Sequence, residues 1–192
     1  GLLLGGEARQ SMLRQAEQWA AERGFGLLGC AYGLAPGLLT FWQAGGFVPV
    51  RLGLRIDPAS AAHSLFMLRG LDAEGRDLAR AARNAFQAAL PWQLGGALRD
   101  LDAVLAVRLL RGLDCTDLPL SAHALNEIAR VAAGARQVAT ADDLLWKWLV
   151  RACAAGAAPA AALAPVVAWR LQHRAPAEVG RGLAGRRPLE RH

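Results

Sequence analysis

The sequence predicts an α/β region followed by an all-α region, with the change of character near residues 71–75. Up to Gly70, helical patterns alternate with apolar runs of strand length, in the order helix, strand, short helix, strand, strand. No strand pattern follows Gly70, and the abundant alanine favours helix. We therefore expect a small sheet with flanking helices, and then a helical domain.

The first two elements follow from the spacing of apolar residues. Met12, Ala16 and Trp19 share one face of a pattern over residues 7–23, which predicts an amphipathic helix. Residues 25–31 form an unbroken apolar run, as in a strand that is covered on both sides.

Prolines and glycines delimit the next three elements. Pro36 suits the first turn of a short helix over 36–44, which two glycines end. Strands are predicted over 47–54 and 63–69, with a loop between them. Pro49 has no amide hydrogen, so its strand should lie at an edge of the sheet or contain a bulge there.

The second region reads as a series of helices. They are predicted near residues 73–90, 92–111, 121–134, 141–155 and 160–173. Pro91 and Pro119 are expected to separate helices, and Ser121 and Thr140 to act as N-caps. The tail from Pro176 is rich in Gly, Pro and Arg. We therefore divide the chain into domains at 1–72 and 73–175 and a basic flexible tail at 176–192.

The whole net charge of +6 comes from residues 76–192. Residues 1–75 hold six Arg and six acidic residues, whereas residues 76–192 hold fifteen Arg and one Lys against ten acidic residues. Such an asymmetry indicates a polyanionic partner, either nucleic acid or an anionic membrane surface. The alternative is a protein that uses arginine as its ordinary surface charge.

Composition argues against several classes of protein. Cys30, Cys115 and Cys153 are far apart and form no C-x-x-C pair, and no two histidines have metal-ligand spacing, so we expect neither metal nor disulfides. The uncharged stretches 24–50 and 152–169 are interrupted by Gly and Pro, which argues against a membrane partner. A reducing cytoplasmic setting is expected. The absence of an initiator Met suggests a piece of a longer chain.

The segment at residues 38–51 carries a resemblance. A short helix ending in Phe41-Trp42 runs into Gly46-Phe47 and a strand, which resembles the GNAT acetyltransferase superfamily. A longer set of residues resembles the tRNA(Met) cytidine acetyltransferase family over about residues 25–80. This set consists of Tyr32-Gly33, Phe41-Trp42, Gly46-Phe47-Val48, Val50-Arg51-Leu52-Gly53 and Leu71-Asp72-Ala73-Glu74-Gly75.

The resemblance implies a fold and an activity. The chain would hold the C-terminal half of a GNAT-like domain, a partial mixed sheet with flanking helices, followed by a tRNA-binding helical domain. The parent enzyme would transfer acetyl from acetyl-CoA to the N4 amine of a cytidine in the elongator tRNA(Met) anticodon, with an ATP-driven module upstream. This chain alone should be nearly inactive. DNA is not an expected partner, and no oligomeric state is predicted.

The resemblance also implies where acetyl-CoA would bind. The strand at 25–31 would be one of two splayed parallel strands, and a phosphate-binding loop would precede or begin the helix at 7–23. Phe41 and Trp42 would wall the thioester pocket, and Tyr32 is a weak candidate for the catalytic acid. The expected contacts of the loop are Gly6, Ala8, Arg9, Gln10, Ser11 and Met12.

Basic residues spread over the predicted helices are the candidates for RNA contact. They would follow phosphates with salt-dependent, weakly selective binding, or else form a solvated surface. The candidates are Arg83, Arg99, Arg108, Arg111, Arg136, Lys147, Arg151, Arg170, Arg174, Arg186 and Arg187. Trp146 and Trp148 flank the only lysine and point about 200° apart on a helix, so one of them is expected in the core.

The chain departs from the family pattern near the cofactor. Glu7 would repel phosphate, and Gly37 and Ala44 stand where the family tends to carry an acidic residue and an arginine. These departures favour a second hypothesis, a non-catalytic RNA-binding or scaffold module with a degenerate acetyltransferase remnant. A third hypothesis is an acetyltransferase that acts on a protein or a small amine.

Overall fold

The chain begins, in this computed structural model that describes residues 6–179, with a helix laid against a small sheet. It divides into two compact units, Gly1–Phe86 and Gln87–His192. The elements of the first unit are α1 (Gly6–Glu22), β1 (Leu27–Gly33), α2 (Pro36–Ala44), β2 (Val48–Asp57), β3 (Ala62–Gly70) and the start of α3 (Ala73–Leu94). This order agrees with the predicted one, and the bounds of α2 are those expected from Pro36 and the following glycines.

The sheet has the strand order β1-β3-β2. β3 pairs antiparallel with both neighbours, so that Leu27 faces Gly70 and Gly33 faces Ser64 along β1. The prediction of a mixed sheet is therefore wrong for the strands between residues 6 and 179. A tight turn connects β2 to β3, and a connection this short forces the two strands to run antiparallel.

Pro49 lies where the sequence predicted. β2 is an edge strand among the described residues, and its register with β3 shifts between Pro49 and Arg51. The missing amide hydrogen therefore costs no regular ladder hydrogen bond. β2 runs further than predicted, to Asp57, whose carboxylate accepts hydrogen bonds from the Ala59 amide and the Ser60 hydroxyl at 3.0 Å.

The prediction that the first strand is covered on both sides is wrong. Gly29 and Ala31 of β1 are exposed, whereas Cys30 and Tyr32, on the other face, are half-buried. Phe66 of β3, paired with Ala31, is also exposed. An antiparallel sheet can leave one face open, so an apolar run alone does not establish two covered faces. The core of this unit includes Leu39, Phe47, Leu52, Leu65 and Met67.

The second unit is helical in the part that the structure describes. After the end of α3, its elements are α4 (Ala103–Leu110), α5 (Ala122–Ala132), a 3₁₀ helix (Val138–Ala141), α6 (Asp142–Ala155) and α7 (Ala160–Arg170). α4 is central, packing on α6 and α7 with most of its side chains buried. No helix in the described part of the chain is both long and apolar enough to span a membrane.

Two expected helix boundaries in this unit are wrong. Pro91 does not end a helix, because α3 continues through it to Leu94. The helix predicted over 92–111 is only α4, since Gly95 and Gly96 follow the end of α3 and Asp102 begins α4. The Asp102 carboxylate accepts hydrogen bonds from the amides of the first helical turn, as an N-cap does.

One of the two predicted N-caps is confirmed. The Ser121 hydroxyl accepts a hydrogen bond from the Ala124 amide at 3.1 Å at the start of α5. Thr140 is not a cap, because it lies within the 3₁₀ helix and its hydroxyl donates to the Gln137 carbonyl at 2.8 Å. α6 therefore begins without a side-chain cap. The negative charge of Asp142 in its first turn interacts favourably with the helix dipole.

Candidate functional site

An aromatic cluster joins the end of β1 to α2. The Trp42 ring stacks on Tyr32 with centroids 6.1 Å apart and meets Phe47 edge-on at 4.9 Å. Phe41 meets Trp42 edge-on at 5.2 Å. The structure therefore brings together three residues that the sequence predicted for the acetyl-CoA site, Tyr32, Phe41 and Trp42.

The Tyr32 hydroxyl has a partner inside the unit. It donates to the Met67 sulfur at 2.9 Å, beneath the aromatic cluster. A thioether is a weak acceptor, so this bond can be exchanged for a stronger one at little cost. The catalytic role of Tyr32 stays a prediction.

The segment expected to form a phosphate-binding loop is helical. α1 starts at Gly6, so the backbone from Ala8 to Met12 lies inside its first turns and not in a loop. Only the first four amides of a helix lack an internal partner, which limits the free donors to the very start of α1. Ala8, Gln10 and Met12 are exposed and Ser11 is half-buried. The exposure of Gly6 and the side chain of Arg9 lie outside what the structure describes.

A cleft of about 330 Å³ lies between α1 and α2. Gln10 and Phe41, both predicted to contact the cofactor, line it from opposite helices. Glu17 and Arg69 form an ion pair at its edge, with 2.5 Å between the guanidinium and the carboxylate.

A second cleft of about 500 Å³ opens between the C-terminal end of β3 and the first turns of α3. Four arginines line it, and we call it the arginine cleft: Arg69 from β3, and Arg76, Arg80 and Arg83 from α3. No carboxylate lines it. Sequence reasoning assigned only Arg83 to RNA. The spacing i, i+4, i+7 on α3 was the signal that could have found Arg76 and Arg80 as well.

Within the second unit, two of the predicted RNA contacts, Arg99 and Arg174, lie close together. The Arg174 guanidinium donates to the Arg99 carbonyl at 2.8 and 3.0 Å and to the Leu101 carbonyl at 2.7 Å. The Arg99 side chain forms an exposed ion pair with Glu178 at 3.5 Å. Arg174 therefore holds the connection before α4.

Arg136 and Arg170 make ion pairs with their own unit. Arg136 pairs with Glu127, which is buried, and also donates to the Thr140 hydroxyl at 2.9 Å. Arg170 pairs with Asp142. Burial lowers the pKa of the Arg170 guanidinium.

The other described basic candidates lie on α4 and α6. Arg151 donates to the carbonyls of Cys115 and Leu118 at 3.2 and 3.0 Å. Arg108 is in the last turn of α4 and Arg111 is its C-cap. Lys147 is half-buried on α6. Arg186 and Arg187 lie outside the described residues.

Two of the tryptophans of the second unit, Trp92 and the half-buried Trp146, form a pair. The Trp92 and Trp146 rings are 4.8 Å apart, and Trp92 is 73% exposed. Trp148 is also exposed. The expectation that Trp146 or Trp148 is a core residue is wrong, because α6 buries Leu149 and the residues after it instead.

The thiols are unsuited to nucleophilic chemistry at neutral pH. Burial raises the pKa of Cys30 to about 11 and that of Cys153 to about 12, and it also raises the pKa of Cys115. All three are therefore neutral near pH 7, and the thiolate is the reactive form. Among residues 6–179, no three His, Cys, Asp or Glu side chains are grouped so that they could hold a metal ion.

Comparison with known proteins shows which proteins the chain resembles. No family model matches the chain. Among the matching curated proteins, each named tRNA(Met) cytidine acetyltransferase TmcA, that of Nitrosococcus halophilus is 36% identical over 125 residues, 65% of this chain and 17% of that protein. That of Vibrio cholerae is 32% identical over 120 residues, 62% of this chain and 16% of that protein. Over the matched residues the chain is thus similar to the tRNA(Met) cytidine acetyltransferase family.

Archaeal members of the tRNA(Met) cytidine acetyltransferase family match as well. The protein of Haloferax volcanii is 38% identical over 87 residues, 45% of this chain and 12% of that protein. The chain thus spans 17% or less of the length of these three relatives. Their family is enzymatic and acts in tRNA modification, as the shared name states.

Proposed function

We propose that the chain is the C-terminal part of an RNA acetyltransferase that transfers acetyl from acetyl-CoA to the N4 amine of a tRNA cytidine, in the elongator tRNA(Met) anticodon. The observation that carries this proposal is the aromatic cluster of Tyr32, Phe41 and Trp42 at the end of β1, in a chain similar to this family. The cytoplasm, where tRNA is modified, is the setting we propose.

The unpaired edge of β1 supports an acetyl-CoA site beside it. Within residues 6–179, β1 pairs only with β3, so the amides and carbonyls of its other edge are available to a further strand and to the pantetheine. Gly29, Ala31 and Phe66 leave the adjoining sheet face open. Upstream residues of a longer protein would complete the sheet and the GNAT-like domain.

The start of α1 fits the diphosphate of acetyl-CoA in part. Free amides and the positive end of the helix dipole attract an anion, and Gly6 presents no side chain to obstruct it. The negative charge that Glu7 brings to this part of the sequence counts against phosphate binding. We therefore expect weaker acetyl-CoA binding than a basic loop would give, with upstream residues supplying the remaining donors.

The proposed reaction is direct transfer. The cytidine N4 amine attacks the thioester carbonyl, the C–S bond breaks, and the CoA thiolate leaves while the amine proton passes to solvent. Backbone amides that polarise the carbonyl would stabilise the charge that develops on its oxygen. Tyr32 would protonate the leaving thiolate after its hydroxyl leaves the Met67 sulfur. The cytidine must leave its stack to reach such a pocket.

The test is acetyl transfer by the full-length protein that contains this chain. Radiolabelled acetyl-CoA and an elongator tRNA(Met) transcript should give acetylated tRNA. Trp42→Leu should lower kcat/KM about tenfold or more through a misplaced pocket wall, whereas Trp19→Leu, at an exposed position on α1, should leave it unchanged. Label on a protein or a small amine instead of tRNA would favour the third hypothesis.

The non-catalytic RNA-binding module remains the second candidate. Gly37 faces open space on α2, and Ala44 is exposed, so neither position offers the charged contact that an acetyl-CoA site of this family would have there. Calorimetric titration of the full-length protein with acetyl-CoA separates the two. Binding supports the enzyme, and tRNA binding without acetyl-CoA binding supports the scaffold.

A further inference from the structure

We propose that the arginine cleft of the first unit binds the phosphate backbone of RNA. The proposal rests on the proposed function for the identity of the polyanion, but the site itself comes from the geometry of β3 and α3. Arg69, Arg76, Arg80 and Arg83 line one cleft of about 500 Å³, which is open to solvent.

The three arginines of α3 form one stripe. Arg76, Arg80 and Arg83 follow the spacing i, i+4, i+7, which places them on one face of a helix at intervals of about 4.5–6 Å along its axis. A row of this kind can contact several phosphates along one backbone, whereas a single small phosphate compound would use only one end of it.

The local charge favours an anion. The cleft lining contains four guanidinium groups and no carboxylate. Two of the four arginines form ion pairs: Arg69 with Glu17 at 2.5 Å and Arg80 with Asp77 at 2.9 Å. The Arg80–Asp77 pair is exposed on both sides, so water screens it and a phosphate can replace the carboxylate at little cost.

Arg69 fixes the wall of the cleft. In addition to Glu17, its guanidinium donates to the Gly45 carbonyl at the C-terminus of α2. That contact neutralises a helix end that would otherwise repel phosphate. Arg76 and Arg80 are exposed and are the residues placed to meet a ligand. Arg76 donates a long hydrogen bond of 3.3 Å to the Leu71 carbonyl.

The arginine cleft adjoins the proposed acetyl-CoA site. It shares Ala44, Gly45 and Arg69 with the cleft between α1 and α2 that Gln10 and Phe41 line. RNA held along α3 would therefore lie next to the acetyl-transfer site.

The experiment measures binding of a fluorescein-labelled tRNA transcript to the 192-residue chain by anisotropy, between about 50 and about 200 mM KCl. The double variant Arg76→Gln/Arg80→Gln should bind about tenfold more weakly at low salt, and its salt slope should fall by about 2, one for each lost phosphate contact. The matched control Arg51→Gln/Arg55→Gln removes the same charge from exposed positions of β2 outside the cleft and should change both quantities far less.

Four results would overturn the proposal. Equal weakening in both double variants would make net charge the cause. No weakening in the cleft variant, while the unaltered chain binds tRNA, would remove the cleft and leave the proposed function intact. Failure of the unaltered chain to bind tRNA would refute the cleft and the tRNA contact of this chain together. A loss of inorganic pyrophosphate binding in the cleft variant, with tRNA binding unchanged, would make it a site for small phosphate compounds.

Discussion

At the scale of single residues, buried glutamine holds the helical unit together. Gln87 is 1% exposed, and its amide nitrogen donates to the carbonyls of Leu109 at 3.1 Å and Arg111 at 2.9 Å, at the end of α4. These carbonyls belong to the last turn of a helix, where internal partners are missing. One side chain of α3 thus anchors the C-terminus of α4.

Replacing that glutamine tests the anchor. We expect Gln87→Met, which keeps the volume but removes the donor, to lower the free energy of unfolding by about 1–3 kcal/mol, because carbonyls of α4 lose their partner. The control Gln18→Met removes an exposed hydrogen bond to Glu22 and should change it by about 0.5 kcal/mol or less. Urea unfolding followed by circular dichroism measures both. Equal effects would contradict the role of burial.

The sequence alone does not predict side-chain roles of this kind. Gln87 lies in a run of helix-forming residues with no feature to separate it from an exposed glutamine. Ser121 was predicted as an N-cap because the signal is local, a capping residue directly before a helical pattern. Thr140 offered the same local signal but is held by Gln137 and Arg136, a contact that only the folded loop creates.

At the scale of elements, the junction of the sheet with α3 is built on glycine. Asp72 accepts a hydrogen bond from the Gly75 amide at 2.7 Å, and the Leu71 amide donates to the Gly26 carbonyl at 2.8 Å. A Cβ atom at Gly75 would overlap the Gly26 carbonyl oxygen. The first turn of α3 can therefore approach the start of β1 only without a side chain at this position.

Two alanine substitutions distinguish the close packing of this junction from the effect of helix propensity. Gly75→Ala should lower the free energy of unfolding by about 3 kcal/mol, since two backbone segments would have to move apart. Gly37→Ala on α2, where nothing lies within 4 Å of the added carbon, should raise it by about 0.5–1 kcal/mol. Urea midpoints of the two variants give the comparison. A stable Gly75→Ala variant would show that the junction is not close-packed.

Elements with strong local signals were predictable, and those set by tertiary pairing were not. Pro36 and the paired glycines bracketed α2, and Pro49 indicated the bulged edge strand. The coverage of β1 was not predictable, because its apolar run reads the same whether one face or both are packed. Pro91 also misled, because a buried proline in α3 is tolerated by packing that the sequence does not reveal.

At the scale of the whole molecule, the sequence located the proposed acetyl-CoA site better than the proposed RNA surface. Tyr32, Phe41 and Trp42 fall in segments that resemble a family, so they could be grouped before folding. The arginines of α3 share a helical spacing, but their meeting with Arg69 in one cleft is a property of the fold. Counting charge along the chain instead points to the helical unit. There, Arg136, Arg151 and Arg174 form hydrogen bonds with other residues of the same unit.

Each unit contains a cysteine whose pKa is raised by burial, and we expect the stability of both units to depend on these thiols being neutral. The pKa of Cys30 in the first unit is raised from 9.0 to about 11, and that of Cys153 in the second from 9.0 to about 12, in each case chiefly by burial. Because the folded-state pKa exceeds the unfolded one, the unfolded chain loses its thiol protons first as pH rises. Stability should be constant with respect to these groups below about pH 8 and should fall as the pH rises from 9 toward 11.

Urea unfolding at neutral pH and at two alkaline values measures that slope. The control is a Cys30→Ala/Cys153→Ala variant. It should be less stable at neutral pH, because each substitution shortens a packed side chain, but should lose less free energy between pH 9 and 11 than the parent does. Alkaline titration of lysine, tyrosine and arginine is common to both proteins and cancels in the comparison. Parallel pH profiles would mean that the thiols are not kept protonated by the fold. A flatter profile in the variant would establish that burial of the two thiols couples the stability of this chain to alkaline pH.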